Sequence, residues 1–187
     1  MADQLYLSYS IRGFSEQNML KHFERVLKLF PFSRLSEYGA VLRITAVEFA
    51  EPVLFEKAYP SPIPIDTVIA AAAEFQHADC AYQVEAFWDL WQFDEDWKLK
   101  PSKVSLFCFG PEFEAEAGEN LRIDFGVDAN FLPQPGLPQS YRMAQSNIKS
   151  LLHLVHEFDK AEAVESRRLW TESGENFAER LQTALEG

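Results

Sequence analysis

The stretch from Leu121 to Phe131, LRIDFGVDANF, decides the fold class of this chain. Every second residue in it is apolar, and the residues between are charged, polar or glycine. Because successive side chains of a strand point to opposite faces, this period of two predicts a strand with one face on a core. The apolar positions are Leu121, Ile123, Phe125, Val127, Ala129 and Phe131.

Two further strands precede this stretch. Residues Tyr82 to Phe93 are apolar on both faces, which indicates either cover on both sides or one exposed adhesive face. The acidic turn from Asp94 to Trp97 leads to a strand from Lys103 to Phe109, and Gly118 turns the chain back. The sequence therefore predicts a three-stranded antiparallel meander.

The first part of the chain has its own order of elements. They are a strand at 5–11, a helix at 15–30, a strand at 39–49, a strand at 53–59, a helix at 66–78 and the strand at 82–93. Phe23 and Leu27 centre the apolar stripe of the first helix, so we expect them to face the sheet. This βαββαβ order is typical of a ferredoxin-like unit.

The C-terminal part is predicted to be helical. Pro133, Pro135 and Pro138 interrupt the chain, and amphipathic helices follow from about Ser140 and about Gly174. The prediction is an α+β fold with ferredoxin-like βαββαβ order, in which a C-terminal β-meander extends the antiparallel sheet and two C-terminal helices cover it. We expect one domain over 1–187, with a possible subdivision near 133–138.

Composition supports an ordered globular chain. Its 187 residues are 47% hydrophobic and include 16 Phe, 6 Tyr and 4 Trp. A chain of this length buries roughly 70% of its extended surface on folding, so a sizeable core is available.

The formal net charge is −12, and thirteen acidic residues against four basic ones lie between Glu74 and Asp128. A field of this sign repels phosphate backbones and anionic lipids, which makes nucleic acid and membranes poor partners. The chain has two cysteines and begins MADQLYLSYS, without the basic and apolar regions of a signal peptide. We therefore expect a cytoplasmic protein.

Motifs for metal binding and nucleophilic catalysis are weak. His77 and Cys80 are three residues apart, as are His153 and His156, but nothing in the sequence joins the two pairs into one site. Cys108 lies in an apolar strand, and the serines lack a GxSxG context. The prediction is therefore no metal, no cofactor and no catalytic motif.

Carboxylates offer one alternative. Asp124 and Asp128 project from the same face of the predicted strand, about 13 Å apart along it, which is too far for a catalytic pair. Glu85 or Asp89 of a neighbouring strand would close this gap, with Arg122 beside them. This constellation predicts a small-molecule-binding or hydrolytic enzyme with a carboxylate-lined cleft.

A mixture of aromatic and acidic residues around the turn at 94–97 is the most suggestive local feature. Protein interfaces use aromatic anchors with a charged rim. The leading hypothesis is therefore a non-enzymatic domain that contacts a protein partner or itself through an aromatic-rich sheet face. A third hypothesis, an acidic inhibitor or immunity-type protein that neutralises a basic partner, explains the charge but has no motif. The predicted partner-binding residues are Phe87, Trp88, Asp89, Trp91 and Trp97.

Overall fold

A computed structural model describes residues 2–115, 118–173 and 176–186. The fold is α+β, with a seven-stranded antiparallel sheet and four helices. The elements in chain order are β1 (Gln4–Ile11), α1 (Met19–Leu29), β2 (Tyr38–Ala46), β3 (Phe55–Pro60), α2 (Ile65–Ala73), β4 (Cys80–Asp94), β5 (Asp96–Phe109), β6 (Leu121–Val127), a 3-10 turn (Asp128–Phe131), α3 (Ser140–Ala161), β7 (Val164–Thr171) and α4 (Phe177–Glu186).

One face of the sheet forms the main core. A row of directly paired apolar residues crosses six strands, and the buried faces of all four helices belong to the same cluster. Phe23 and Leu27 of α1 are buried in it, as the helical spacing predicts. The residues of the row are Leu42, Val84, Leu106, Ile123, Leu7 and Leu169.

The strand order is β3-β2-β4-β5-β6-β1-β7. In a ferredoxin-like unit the first strand lies between the third and the fourth, whereas here β1 pairs with β6 and β7. The ferredoxin-like order is therefore not confirmed. The predicted edge hairpin of β2 and β3 and the meander of β4, β5 and β6 are both present.

The stretch from Leu121 to Phe131 is a strand only as far as Val127. Gly126 has a φ of 77°, a left-handed conformation that suits glycine, and the Asp124 carboxylate accepts a hydrogen bond from its amide at 2.9 Å. The turn that follows buries Asp128 and leaves Val127 exposed. The alternation predicted through Phe131 is therefore wrong beyond Gly126.

Strand β7 has no counterpart in the sequence prediction. Its sequence, VESRRLWT, is mostly exposed and lies at the edge of the sheet, where it pairs with β1. The last helix was expected to begin near Gly174, which lies outside the described residues, and the described helix begins at Phe177.

Candidate functional site

Strands β4 and β5 extend beyond their neighbours in the sheet. Strand β2 pairs with β4 only as far as Glu85, and β6 pairs with β5 only from Ser105 onward. The segment Phe87–Lys103, here called the arm, therefore continues as a two-stranded hairpin with a turn at Glu95.

The arm carries a contiguous set of apolar side chains on the strand face opposite Trp88 and Leu90. Trp91 lies directly opposite Leu99, and Phe93 opposite Trp97, whose ring centroids are 5.4 Å apart. Phe93 and Leu99 are 37% and 42% exposed, and the other members are half-buried. We call the set the aromatic ladder; it comprises Phe87, Trp91, Phe93, Trp97, Leu99 and Pro101.

Trp88 does not belong to this surface. Its side chain is 1% exposed, and its ring packs at centroid distances of 5.5 Å from Phe30, 5.2 Å from Phe125 and 6.2 Å from Phe131. Strand alternation places it on the helix-covered face. The prediction that Trp88 anchors a partner is corrected, because in this fold its side chain is part of the core.

The Asp89 carboxylate also forms hydrogen bonds within the chain. Its Oδ1 accepts a hydrogen bond from the Ser33 hydroxyl at 2.5 Å, and its Oδ2 accepts one from the Arg34 amide at 3.0 Å. The carboxylate predicted as a charged rim thus holds the loop that follows α1 against the free edge of β4.

Asn147 of α3 fixes the arm on the same edge. Its side chain accepts a hydrogen bond from the Trp91 amide at 2.9 Å and donates to the carbonyls of Trp91 at 2.9 Å and Asn130 at 2.7 Å. It is 2% exposed. Asn147 was not among the residues predicted from the sequence; its signal is a polar side chain inside the apolar stripe of a helix, next to Ile148.

The indole of Trp97 is held as well. Its Nε1 donates to the carbonyl of Pro138 at 2.6 Å. The backbone of Trp91 and the indole of Trp97 are therefore both bonded to the segment 138–147, and we expect the arm to be ordered before any partner arrives.

Of the four residues of the predicted carboxylate cleft, only Glu85 and Asp124 lie in one row of the sheet. Glu85, Ser105 and Asp124 lie in one row across β4, β5 and β6, which separates the two acidic Cα atoms by about 10 Å. Glu85 forms ion pairs with Arg43 at 3.3 Å and Lys103 at 3.7 Å. Its charge is thus already balanced.

Arg122 and Asp128 have other partners. Arg122 is buried, forms an ion pair with Glu119 at 3.2 Å, and its guanidinium lies 4.7 Å from the ring centroid of Phe107. Asp128 is buried and forms an ion pair with Arg180 at 3.3 Å. A single cleft that uses all four residues is therefore not formed.

Asp124 lies in a shallow depression of about 250 Å³ that also involves Lys103 and Ser105. Burial raises the pKa of its carboxyl above the ordinary value, and the hydrogen bond from the Gly126 amide opposes this shift. The depression has one titratable carboxyl of altered acidity, which is less than an acid–base pair requires.

The histidine and cysteine pairs stay apart. The His77 ring contacts Asp79 at 2.7 Å, and burial raises the pKa of the Cys80 thiol to about 11. His153 and His156 are exposed on α3. Within the described ranges, no group of three or more His, Cys, Asp or Glu side chains is arranged to hold a metal ion.

In the part of the chain that the structure describes, no helix combines the length and apolarity needed to cross a bilayer. No protein-family model, curated protein or solved structure matches the chain. Its function must therefore be argued from its own residues.

Proposed function

We propose that this protein is a non-enzymatic interaction domain, and that its arm pairs with the arm of a second copy. The observation that carries the proposal is the aromatic ladder, six neighbouring apolar side chains on a hairpin that extends beyond the rest of the sheet. Such patches on soluble proteins mark interaction sites more often than scattered apolar residues do.

The ladder is prepared for contact at low entropic cost. Hydrogen bonds from Asn147 fix the backbone at Trp91, and the Pro138 carbonyl fixes the indole of Trp97. Anchors that are already ordered lose little freedom on binding, so more of the energy of burial remains as affinity.

Charge favours a second copy as the partner. The chain as a whole has a net charge of −12, whereas the arm from 87 to 103 has four acidic and three basic side chains. Two copies that meet through their arms therefore bring together surfaces of low net charge, which repel each other little. A strongly basic partner would instead be attracted to the acidic surface outside the arm.

The arrangement of charges also favours a two-fold axis. Glu95 and Asp96 lie at the turn, and Lys103 lies at the other end on the face of the ladder, about 24 Å away along β5. When two arms cross antiparallel, the acidic turn of one lies beside Lys103 of the other. Trp91 and Leu99 then lie close to the axis.

The ladder has six side chains, whereas a standard interface uses about 20 to 30 residues from each partner. We therefore expect a reversible dimer with a dissociation constant in the range of about 1 to 100 μM.

Two matched variants test the proposal by sedimentation equilibrium. Leu99→Asp places a charge at the centre of the ladder and should weaken the dimer by at least about 30-fold, which corresponds to roughly 2 kcal/mol. Leu152→Asp is the control, because Leu152 is 44% exposed but lies on α3 away from the ladder. A monomeric wild type at about 1 mM would refute the proposal, as would equal effects of the two variants.

The two alternative functions have less support. A hydrolytic site needs a second free carboxyl beside Asp124, and Glu85 is paired with Arg43 and Lys103. An acidic inhibitor is supported by net charge alone. The ladder has specific geometry, which is why we favour it.

A further inference from the structure

A cavity of about 440 Å³ lies at the root of the arm. Its walls come from the loop after α1, the start of β2, the segment before α2 and strand β4. The apolar part of the lining is formed by Phe32, Tyr38, Pro62, Ile63 and Phe87. This volume is within the range of small-molecule sites, which are mostly apolar with a few placed polar groups.

Two aromatic rings shape the cavity. The centroids of Tyr38 and Phe87 are 6.3 Å apart, with 37° between the ring planes. Tyr38 is 77% exposed, which is unusual for a tyrosine that no partner covers. Rings at this spacing contact each other and together present an aromatic surface to the cavity, on which a planar apolar group can pack.

Of the described residues that line the cavity, Arg34 alone is charged. Among the described residues no carboxylate lies within ion-pair distance of its guanidinium, and no acidic residue of this part of the chain lines the cavity. A free guanidinium beside an apolar cavity favours an anion, and its planar fork matches a carboxylate in particular.

The loop that carries Arg34 is held in place. Besides its bond to Asp89, the Ser33 hydroxyl accepts hydrogen bonds from the amides of Leu35 at 3.1 Å and Ser36 at 2.9 Å. The Asp89 carboxylate accepts hydrogen bonds from the Ser33 hydroxyl and the Arg34 amide, and it forms no ion pair with the Arg34 guanidinium. The guanidinium is thus attached to an ordered loop at the edge of the cavity.

We propose that this cavity binds a small planar aromatic carboxylate, with its ring packed against the surface that Tyr38 and Phe87 form together and its carboxylate on Arg34. The site goes beyond the proposed self-association, because each copy contains all of its residues. A ligand of this size is expected to bind with a dissociation constant of about 1 mM or lower.

The test compares the binding of 2-naphthoate with that of the neutral 2-naphthamide. Binding is measured from the backbone amide chemical shifts of the isotope-labelled protein. We expect 2-naphthoate to give saturable shifts at Tyr38 and Phe87 and to bind at least about tenfold more tightly than the amide, since a charge-assisted bond is lost in the latter. Equal affinity of the two probes, or no saturable shift at these residues, would overturn the proposal.

Two further variants separate the site from other effects. Arg34→Gln should lose about tenfold in affinity for 2-naphthoate, whereas Arg12→Gln, at an exposed arginine after β1, should not. Equal losses would show that only general charge matters and would refute the site. Because Phe87 also belongs to the ladder, the Leu99→Asp variant should bind 2-naphthoate at least as tightly as the wild type does, so that failure of the dimer and failure of the cavity are distinguishable.

Discussion

Replacing Asn147 with alanine should release the arm from α3 and destabilise the whole domain. The change removes three hydrogen bonds, at 2.9, 2.9 and 2.7 Å, and leaves the Trp91 amide and two carbonyls without partners. At about 0.5 to 1.5 kcal/mol for each bond, the expected loss is about 3 kcal/mol. For a chain of this length this corresponds to a fall in Tm of about 6 to 12 °C.

Urea unfolding of Asn147→Ala and of the control Ser150→Ala measures this loss. The exposed Ser150 hydroxyl donates only to the Ser146 carbonyl one turn earlier, so its removal should cost less than about 0.5 kcal/mol. Hydrogen exchange at the Trp91 amide should become faster in Asn147→Ala alone. A loss below about 1 kcal/mol, with unchanged exchange at Trp91, would refute the idea that Asn147 holds the arm.

Three further predictions follow from the core and from ionisation. Trp88→Ala should cost about 3 to 5 kcal/mol of unfolding free energy, measured in urea, because the ring packs in the core. Asp124→Asn should raise Tm at neutral pH, because the raised pKa of Asp124 means that ionisation of its carboxyl disfavours the folded state. This gain in Tm should disappear as the pH falls below 3.8, where the carboxyl is protonated in both states. An unchanged Tm at pH 7 would contradict the prediction. In the native protein Cys80 and Cys108 should react slowly with maleimide at pH 7, because burial raises the pKa of both thiols. Mass spectrometry follows the labelling, and modification of either cysteine within minutes would contradict this prediction.

Local periodicity predicted most of the elements but not their neighbours in the sheet. The alternation in β6 and the apolar stripe of α1 follow from the direction of side chains along one element. The position of β1 beside β6 depends on pairing between residues more than a hundred positions apart, such as Leu7 and Ile123. No periodicity within an element reports such a pairing, and the ferredoxin-like order failed for that reason.

In the candidate site, too, local patterns predicted the faces of single strands but not the contacts between distant residues. Alternation in β4 correctly gave two apolar faces, yet it did not indicate which face the helices cover, so Trp88 and Trp91 were grouped as equivalent anchors. Strand β7 escaped prediction because a mostly exposed edge strand needs no apolar alternation. The role of Asp89 was missed because its partner, Ser33, lies 56 positions away.

The most direct test of self-association through the arm is a charge exchange at its two ends, measured by sedimentation equilibrium. Lys103→Glu and Glu95→Lys should each weaken the dimer by about two- to tenfold, because each brings like charges together across the two-fold axis. Urea unfolding of each variant measures the separate effect of losing the ion pair between Lys103 and Glu85 within one copy. The double variant should recover most of the wild-type affinity. If the double variant is as weak as the sum of the single changes, or if neither change affects association, the antiparallel pairing of two arms is contradicted.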